Sequence, residues 1–434
     1  MSDLIHSNIT IGENGHLYFA SCDTVGLARE YGTPAIFIDE DRVRAKCREY
    51  INAMREYLPA GSFPLFASKA LSFKEIYRVI GSEGMGTDIV SPGELYTAAN
   101  AGFDLSRAVF HGNNKTDADI EYAIKSGMGY FAADGEEELR QISKAASEAG
   151  VDQKILLRVT PGIDPHTHKK ISTGGVDSKF GFSISGGAAD DAVKLALSLK
   201  NITLCGFHCH IGSQIFEVDP FLDAAVIMTG FMAQVKEKYG FITRVLNLGG
   251  GFGVRYVQSD PEISITQNIK KIGETLVTHC AKLGVTPPAV MLEPGRSIVA
   301  DSGLTLYTVG SVKEIKGVKN YVSVDGGMTD NPRYTLYQSA YSVYLASRAN
   351  EKCTFTCTVG GRCCESGDLL QENVSMPKPR RGDILAVAVT GAYNYSMASN
   401  YNRVPRPPVV FISGGKTRVA VRRETYADLV KCDI

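Results

Sequence analysis

The sequence predicts an α/β protein: a (β/α)8 barrel joined to an all-β domain. Three observations point there. Short apolar runs recur eight times after residue 60, each followed by a helix-like stretch, and strand alternating with helix implies parallel βαβ units. Nearly every run ends in a polar residue or glycine, as expected where a site is assembled at the C-terminal ends of barrel strands. After about residue 300 the texture becomes β-rich, with turn signals and few helical patterns.

The eight runs end near Lys69 (PLFASK), Asp88 (GTDIV), His111 (AVFHG), Asp134 (GYFAAD), Arg158 (ILLRV), His210 (CGFHCH), Gly249 (VLNLGG) and Glu293 (AVMLEP). They are nearly continuous in apolar residues, as strands buried on both faces should be. Residues 92–101, 117–126 and 136–149 between them read as amphipathic helices. Later, YVSVD, CTFTCTV, ILAVAV, PPVVFI and RVAVRR read as strands. Residues 8–19 join them, which makes the β domain discontinuous. The expected division is a TIM-type barrel over 33–300, with 1–32 and 301–434 forming the β domain.

Size and composition agree. A chain of 434 residues is long for one core and suits two domains. With 44% hydrophobic and 21% charged residues it reads as soluble and globular. A net charge of −1 supplies no field for nucleic acid or an anionic membrane. No apolar run reaches the ~18 residues of a membrane span, and the first residues lack a basic start and apolar block, so the expected location is cytoplasmic. The ten cysteines show no repeated spacing, which argues against a disulfide framework. Cys363 and Cys364 are adjacent, awkward for a mutual bridge, which suggests chemistry for at least one.

Several motifs carry chemistry, each with a plainer reading beside it. Lys69 closes a buried run; it is paired, or desolvation lowers its pKa and readies it to form a Schiff base, or it snorkels from a strand end. Residues 247–253 (NLGGGFG) follow the seventh run, and bare glycines let backbone N–H groups approach a phosphate; the other reading is a tight turn. Glu293-Pro294-Gly295-Arg296 follows the eighth. A buried carboxylate needs a partner. Against a pyridine nitrogen it would keep that nitrogen protonated and the ring a strong electron sink, with Arg296 holding a phosphate or carboxylate; alternatively it pairs with Arg296.

His208 and His210 share one side of a strand, as in metal-dependent hydrolase barrels, although zinc needs further ligands. Without metal, His210 can stack on an aromatic cofactor and Ser213 can bond a phosphate. In residues 360–368 (GGRCCESGD), a cysteine beside Glu365 and Ser366 is placed like a proton donor, while a buried-hydrophobe role suits Cys363 better. Residues 325–328, 331–334 and 391–393 form polar loops that a β domain does not need for stability. His166, His168 and residues 172–175 lie in a polar segment that reads equally as a mobile lid or a solvated loop.

The motifs FASKA, GTDIVSPGEL, FHGNNK, HTHKKISTG, HCHIGSQ, NLGGGFGVRY, EPGRSIVADSG, VDGGMTDNPR, CCESGDLL and TGAYNYSMASNYN resemble, in order and almost end to end, the diaminopimelate decarboxylases. These are fold-type III pyridoxal 5'-phosphate enzymes, in a wider group with ornithine and arginine decarboxylases and, more distantly, alanine racemase. The resemblance implies that Lys69 carries the cofactor, His210 stacks on its ring, Asp88 lies near both and Glu293 meets the ring nitrogen. Ser213, Gly250, Gly251, Gly295 and Arg296 would hold the cofactor. Arg296, Arg333 and Tyr337 would grip the substrate carboxylate, and Tyr393 would touch cofactor and substrate. Cys364 would donate the proton, with Glu365 reading the far end of the substrate.

It implies decarboxylation of meso-2,6-diaminopimelate to L-lysine and CO2, and a homodimer in which Cys364 and Glu365 come from the partner. Glu293 itself speaks against an alanine-type racemase, which sets arginine at the ring nitrogen. The rivals are a decarboxylase of ornithine, arginine or carboxynorspermidine, a non-catalytic cofactor-binding regulator, and a metal hydrolase; no metal is expected. Tyr334-Thr335 stands where other members often carry Pro-Ala, and Phe252 where they often carry Leu; neither change removes a functional group.

Overall fold

The computed structural model describes residues 4–163 and 179–434; the segment read as a lid, with His166 and His168, lies outside the described residues. The chain forms two compact units, residues 45–253 with 262–297, and residues 1–44 with 254–261 and 298–434.

In the first unit the strands are β1 (Phe63–Ala67), β2 (Gly86–Ile89), β3 (Ala108–Phe110), β4 (Tyr130–Ala133), β5 (Gln153–Thr160), β6 (Ile202–His208), β7 (Val245–Asn247) and β8 (Ala289–Leu292). Each pairs in parallel with the next. β8 pairs with β1 (Met291 opposite Phe63) and β4 with β5 (Tyr130 opposite Lys154), so the sheet closes. The continuous apolar runs are buried over most of their length, because the barrel interior takes one face and the helical ring the other. Leu65, Val109, Ala132, Leu156, Cys205 and Met291, each from a different strand, fill the interior as one cluster. Burying a large aliphatic side chain this way is worth about 1.5–3 kcal/mol.

The ring helices include α1 (Lys74–Ser82), α2 (Pro92–Asn100), α3 (Asp117–Lys125), α4 (Glu136–Ala149), α5 (Ala188–Ser198), α6 (Asp219–Tyr239) and α7 (Ile265–Leu283). Their starts are written in the sequence. The Ser91 hydroxyl accepts from Glu94 N with Pro92 in the first turn, and Thr116 and Asp119 form a capping box. The three expected helices match α2, α3 and α4 to within a residue.

In the second unit, a mixed sheet runs in the order Leu369–Met376, Phe355–Gly360, Lys319–Val324, Gly303–Ile315, Ala35–Asp39, Val409–Ser413, Lys416–Val421. Ile384–Ala388 also pairs with Gly303–Ile315, and Val343–Leu345 with Ile384–Ala388. The N-terminal run forms its own antiparallel sheet in this unit, Ile9–Ile11 against Leu17–Phe19, and buries Ile9, Leu17 and Phe19. The reading from sequence started the barrel at residue 33. Here Ala35–Asp39 instead pairs antiparallel with Gly303–Ile315 and parallel with Val409–Ser413. Its AIFID run is buried throughout, and a run buried on both faces reads alike in a barrel or a central sheet strand.

Candidate active site

The C-terminal rim of the barrel gathers most of the singled-out residues. Lys69 departs from expectation. β1 ends at Ala67, and residues Ser68–Ala70 form a single 3-10 turn in which Lys69 is exposed between buried Ser68 and Ala70. The turn carries the lysine beyond the strand. Asp88, on β2, pins that turn: its Oδ1 accepts from Ser68 N at 3.1 Å. Asp88 is buried, and burial pushes its carboxyl well above the usual carboxylate range. The Lys69 charge opposes this, while Glu293 and Glu94 reinforce it.

Glu293 follows β8 directly and is 6% exposed. Asn247 Nδ2 donates to its Oε1 at 2.7 Å, His208 Nε2 lies 3.4 Å from Oε2 and His111 Nε2 stands 2.8 Å from Oε1. Burial alone would raise this carboxyl, but the two histidines outweigh it and hold Glu293 well below its ordinary range. Burial drives the histidines the other way: His111 is lowered and His208 falls to about 4. His208 Nε2 meets Glu293 in a hydrogen bond, whereas His111 Nε2, though 2.8 Å from Oε1, is not in hydrogen-bond alignment with it. Arg158, buried on β5, adds positive charge that acts on His111 and His208 and is itself felt by Glu293. Of the paired histidines in the HCH motif, then, His208 joins His111 and Glu293. These three offer ligand atoms all within 4.8 Å of one another.

His210 sits beyond the end of β6, and its Nδ1 accepts from Gly250 N at 3.3 Å. A ring nitrogen that accepts carries no proton. The imidazole is held neutral, well below its ordinary pKa, by burial first and then by Lys69. The glycine run has a steric cause. A Cβ on Gly250 would lie 2.0 Å from the Glu293 carbonyl oxygen, and one on Gly251 would lie 2.3 Å from that of Gly212. The glycines thus let the β7 turn pack onto the chain after β6 and β8. Arg296 is buried and donates to Ser213 Oγ from Nε and Nη2 at 3.3 and 3.0 Å.

Within the second unit, Arg333 is buried with its guanidinium carbon 5.3 Å from the Tyr337 ring centre and 5.4 Å from that of Tyr393. Tyr393 has φ +63°, a left-handed conformation that costs a non-glycine residue energy and clusters at functional sites. Cys364 and Glu365 are exposed on the loop after Phe355–Gly360. Asn402 Oδ1 accepts from Cys364 N at 2.8 Å. Cys363 is half-buried rather than a core hydrophobe, and its thiol is pushed up to about 11 by burial and by Asp368.

Residues 41–300 match the family described as pyridoxal-dependent decarboxylase, pyridoxal binding domain. The chain belongs to the pyridoxal-dependent decarboxylases. It is 42% identical to the diaminopimelate decarboxylase of Bacillus subtilis over 99% of this chain and 98% of that protein. Among solved structures it resembles diaminopimelate decarboxylase from M. jannaschii in complex with L-lysine, with TM-score 0.91 and 32% identity over 100% of this chain and 99% of that one. The Helicobacter pylori enzyme complexed with L-lysine gives TM-score 0.85 and 30% identity over 94% and 98%.

The donor set of this decarboxylase fits pyridoxal phosphate. It offers an amine in Lys69, an ionised carboxylate in Glu293 for a ring nitrogen, a neutral imidazole in His210, and a hydroxyl–guanidinium pair in Ser213 and Arg296 suited to a phosphate. Reading the sequence named Asn247 only as the first residue of the glycine motif, and it noted His111 and Arg158 only as ends of strand runs. For His111 and Arg158, that position at the ends of two runs was the available signal.

Proposed function

We propose that this chain removes CO2 from meso-2,6-diaminopimelate to give L-lysine, the last step of lysine biosynthesis, with pyridoxal 5'-phosphate bound to the barrel unit. The observation that carries the reading is Glu293, a buried carboxylate held ionised at the barrel rim. A decarboxylase needs such a group to keep a ring nitrogen protonated. The end-to-end similarity to diaminopimelate decarboxylases supports the choice of substrate.

When bound, the cofactor ring accepts the electron pair released as the carbon–carboxylate bond breaks. Lys69 would bind the cofactor covalently and later release product. His210, Asp88 and Tyr393 would flank the ring, and Ser213, Gly250, Gly251, Gly295 and Arg296 would hold the phosphate end. Arg296, Arg333 and Tyr337 would orient the substrate by one carboxylate, and Glu365 would read its distal end. Cys364 Sγ would deliver the proton to the carbon that lost CO2. In this reading the barrel unit, residues 45–253 with 262–297, carries the cofactor. The protein acts in the cytoplasm as a homodimer, with Cys364 and Glu365 supplied by the partner.

The test is an absorption spectrum of the purified protein, then addition of meso-diaminopimelate with product analysis. A visible cofactor band, lost in Lys69→Ala, together with lysine and CO2 as products, supports the reading. A band without turnover of this substrate but with turnover of ornithine or arginine overturns the substrate. No band after cofactor is supplied overturns the reading altogether.

A further inference from the structure

His111, His208 and Asn247 are given no task by the roles above, yet each is buried to 5% exposure or less. All three converge on one carboxylate, and they come from different parts of the barrel. His111 follows β3, His208 ends β6 and Asn247 ends β7. Three polar side chains at an apolar barrel's rim are costly to desolvate unless each finds a partner.

We infer that His111, His208 and Asn247 are positioning residues that clasp both oxygens of Glu293 from within the barrel, keeping the carboxylate ionised and aimed at the cofactor. The inference rests on the reading of Glu293 given above. Asn247 is itself fixed, because its Oδ1 accepts from Gly249 N at 2.9 Å while its Nδ2 donates to Glu293 Oε1 at 2.7 Å. The same amide thus ties the carboxylate to the glycine turn.

The imidazoles brace each other, with ring centres 4.7 Å apart and planes at 61°, an edge-to-face packing. The Nδ1 of His208 is buried and has no hydrogen-bond partner among the described residues. A bare ring nitrogen tolerates that position better than a charged N–H would, so the proton belongs on Nε2, which faces Glu293 Oε2. The second nitrogen being left unpaired argues that the ring is oriented for Glu293 alone.

The experiment uses holoenzyme reconstituted with 15N-labelled pyridoxal phosphate. It follows the ring-nitrogen resonance by NMR alongside kcat and KM. The variants are His208→Phe and His111→Phe, which keep ring volume and remove the N–H, and His208→Gln, which keeps a donor. The expected result for both phenylalanine variants is a resonance moved toward the unprotonated range. Their kcat should fall ~10-fold or more with KM changed less than ~3-fold, the mark of an interaction made in the transition state, and His208→Gln should recover most of both losses. If a phenylalanine variant does not fold, Asn247→Leu carries the same expectation.

An unmoved resonance in folded variants overturns the inference. So does a stoichiometric divalent metal in the holoenzyme that His208→Phe loses, since the three ligand atoms within 4.8 Å would then serve a metal. Glu293→Gln separates the two levels. If it moves neither resonance nor kcat, the reading of Glu293 fails; if it moves both while the histidine and asparagine variants move neither, the clasp alone fails.

Discussion

At the scale of single residues, the barrel rim sorts its ionisable groups by what surrounds them. Asp88 and Glu293 are both buried carboxylates, yet burial pushes Asp88 up while the histidines beside Glu293 reverse the effect of burial there. Two nearby carboxyls with opposite tendencies are what an acid–base site uses. His208 also makes a testable contribution to stability. Its pKa in the folded protein is about 4 against an ordinary 6.5, so between those values the unfolded chain binds a proton that the folded chain refuses. The site's contribution is complete above pH 6.5 and is lost as pH falls toward 4. The loss amounts to about 3 kcal/mol at 1.36 kcal/mol per pKa unit. In urea midpoints at pH 7, 5.5 and 4.5, wild type should lose stability relative to His208→Gln as pH falls. A constant gap between the two proteins across that range counts against the assignment.

At the scale of elements, the turn or loop after each strand decides the local chemistry. Between β3 and α4 lies a buried ion pair. Lys115 Nζ donates to Glu138 Oε1 at 2.7 Å and to the carbonyls of Gly112 and Ala132 at 2.9 and 2.8 Å, with side chains 1% and 9% exposed. The cation thereby ties the loop after β3 to the end of β4 and the start of α4. Removing one partner from such a pair costs about 3–5 kcal/mol, whereas replacing both with apolar groups of similar volume is often close to neutral. Lys115→Met should accordingly lower the urea midpoint sharply, and Lys115→Met/Glu138→Leu should recover most of the loss. A double variant as unstable as the single one would show that the carbonyl contacts, rather than the ion pair, matter. The helix starts at Ser91 and Thr116 were readable because a cap is a local event. The 3-10 turn at Lys69 was not, since its anchor, Asp88, lies nineteen residues away on the next strand.

At the scale of the whole molecule, the two units divide the proposed labour, and the proposed homodimer makes a quantitative demand. If Cys364 and Glu365 serve the partner's barrel, Lys69→Ala and Cys364→Ala proteins should each be nearly inactive alone. Mixed in equal amounts with subunit exchange, half of the dimers would be hybrids with one intact site of two, giving about a quarter of wild-type activity in a closed two-fold assembly. Activity that stays at the level of the separate variants after demonstrated exchange would place Lys69 and Cys364 of one site in the same subunit.

The alternation of eight apolar runs with amphipathic stretches determined the barrel, because burial on both faces and helical periodicity are properties of consecutive residues. The runs also marked the rim, where a polar residue or glycine ends each one, and so the positions of Lys69, Asp88, His210 and Glu293 at the rim were legible. The boundary at residue 33 placed Ala35–Asp39 with the barrel, because its apolar run is equally at home in either unit, and only pairing with Gly303–Ile315 and Val409–Ser413 settled it. The company kept by Glu293 was likewise a tertiary matter. His111, His208 and Asn247 lie 182, 85 and 46 positions from it in the chain, and barrel closure alone brings the ends of β3, β6 and β7 onto one carboxylate.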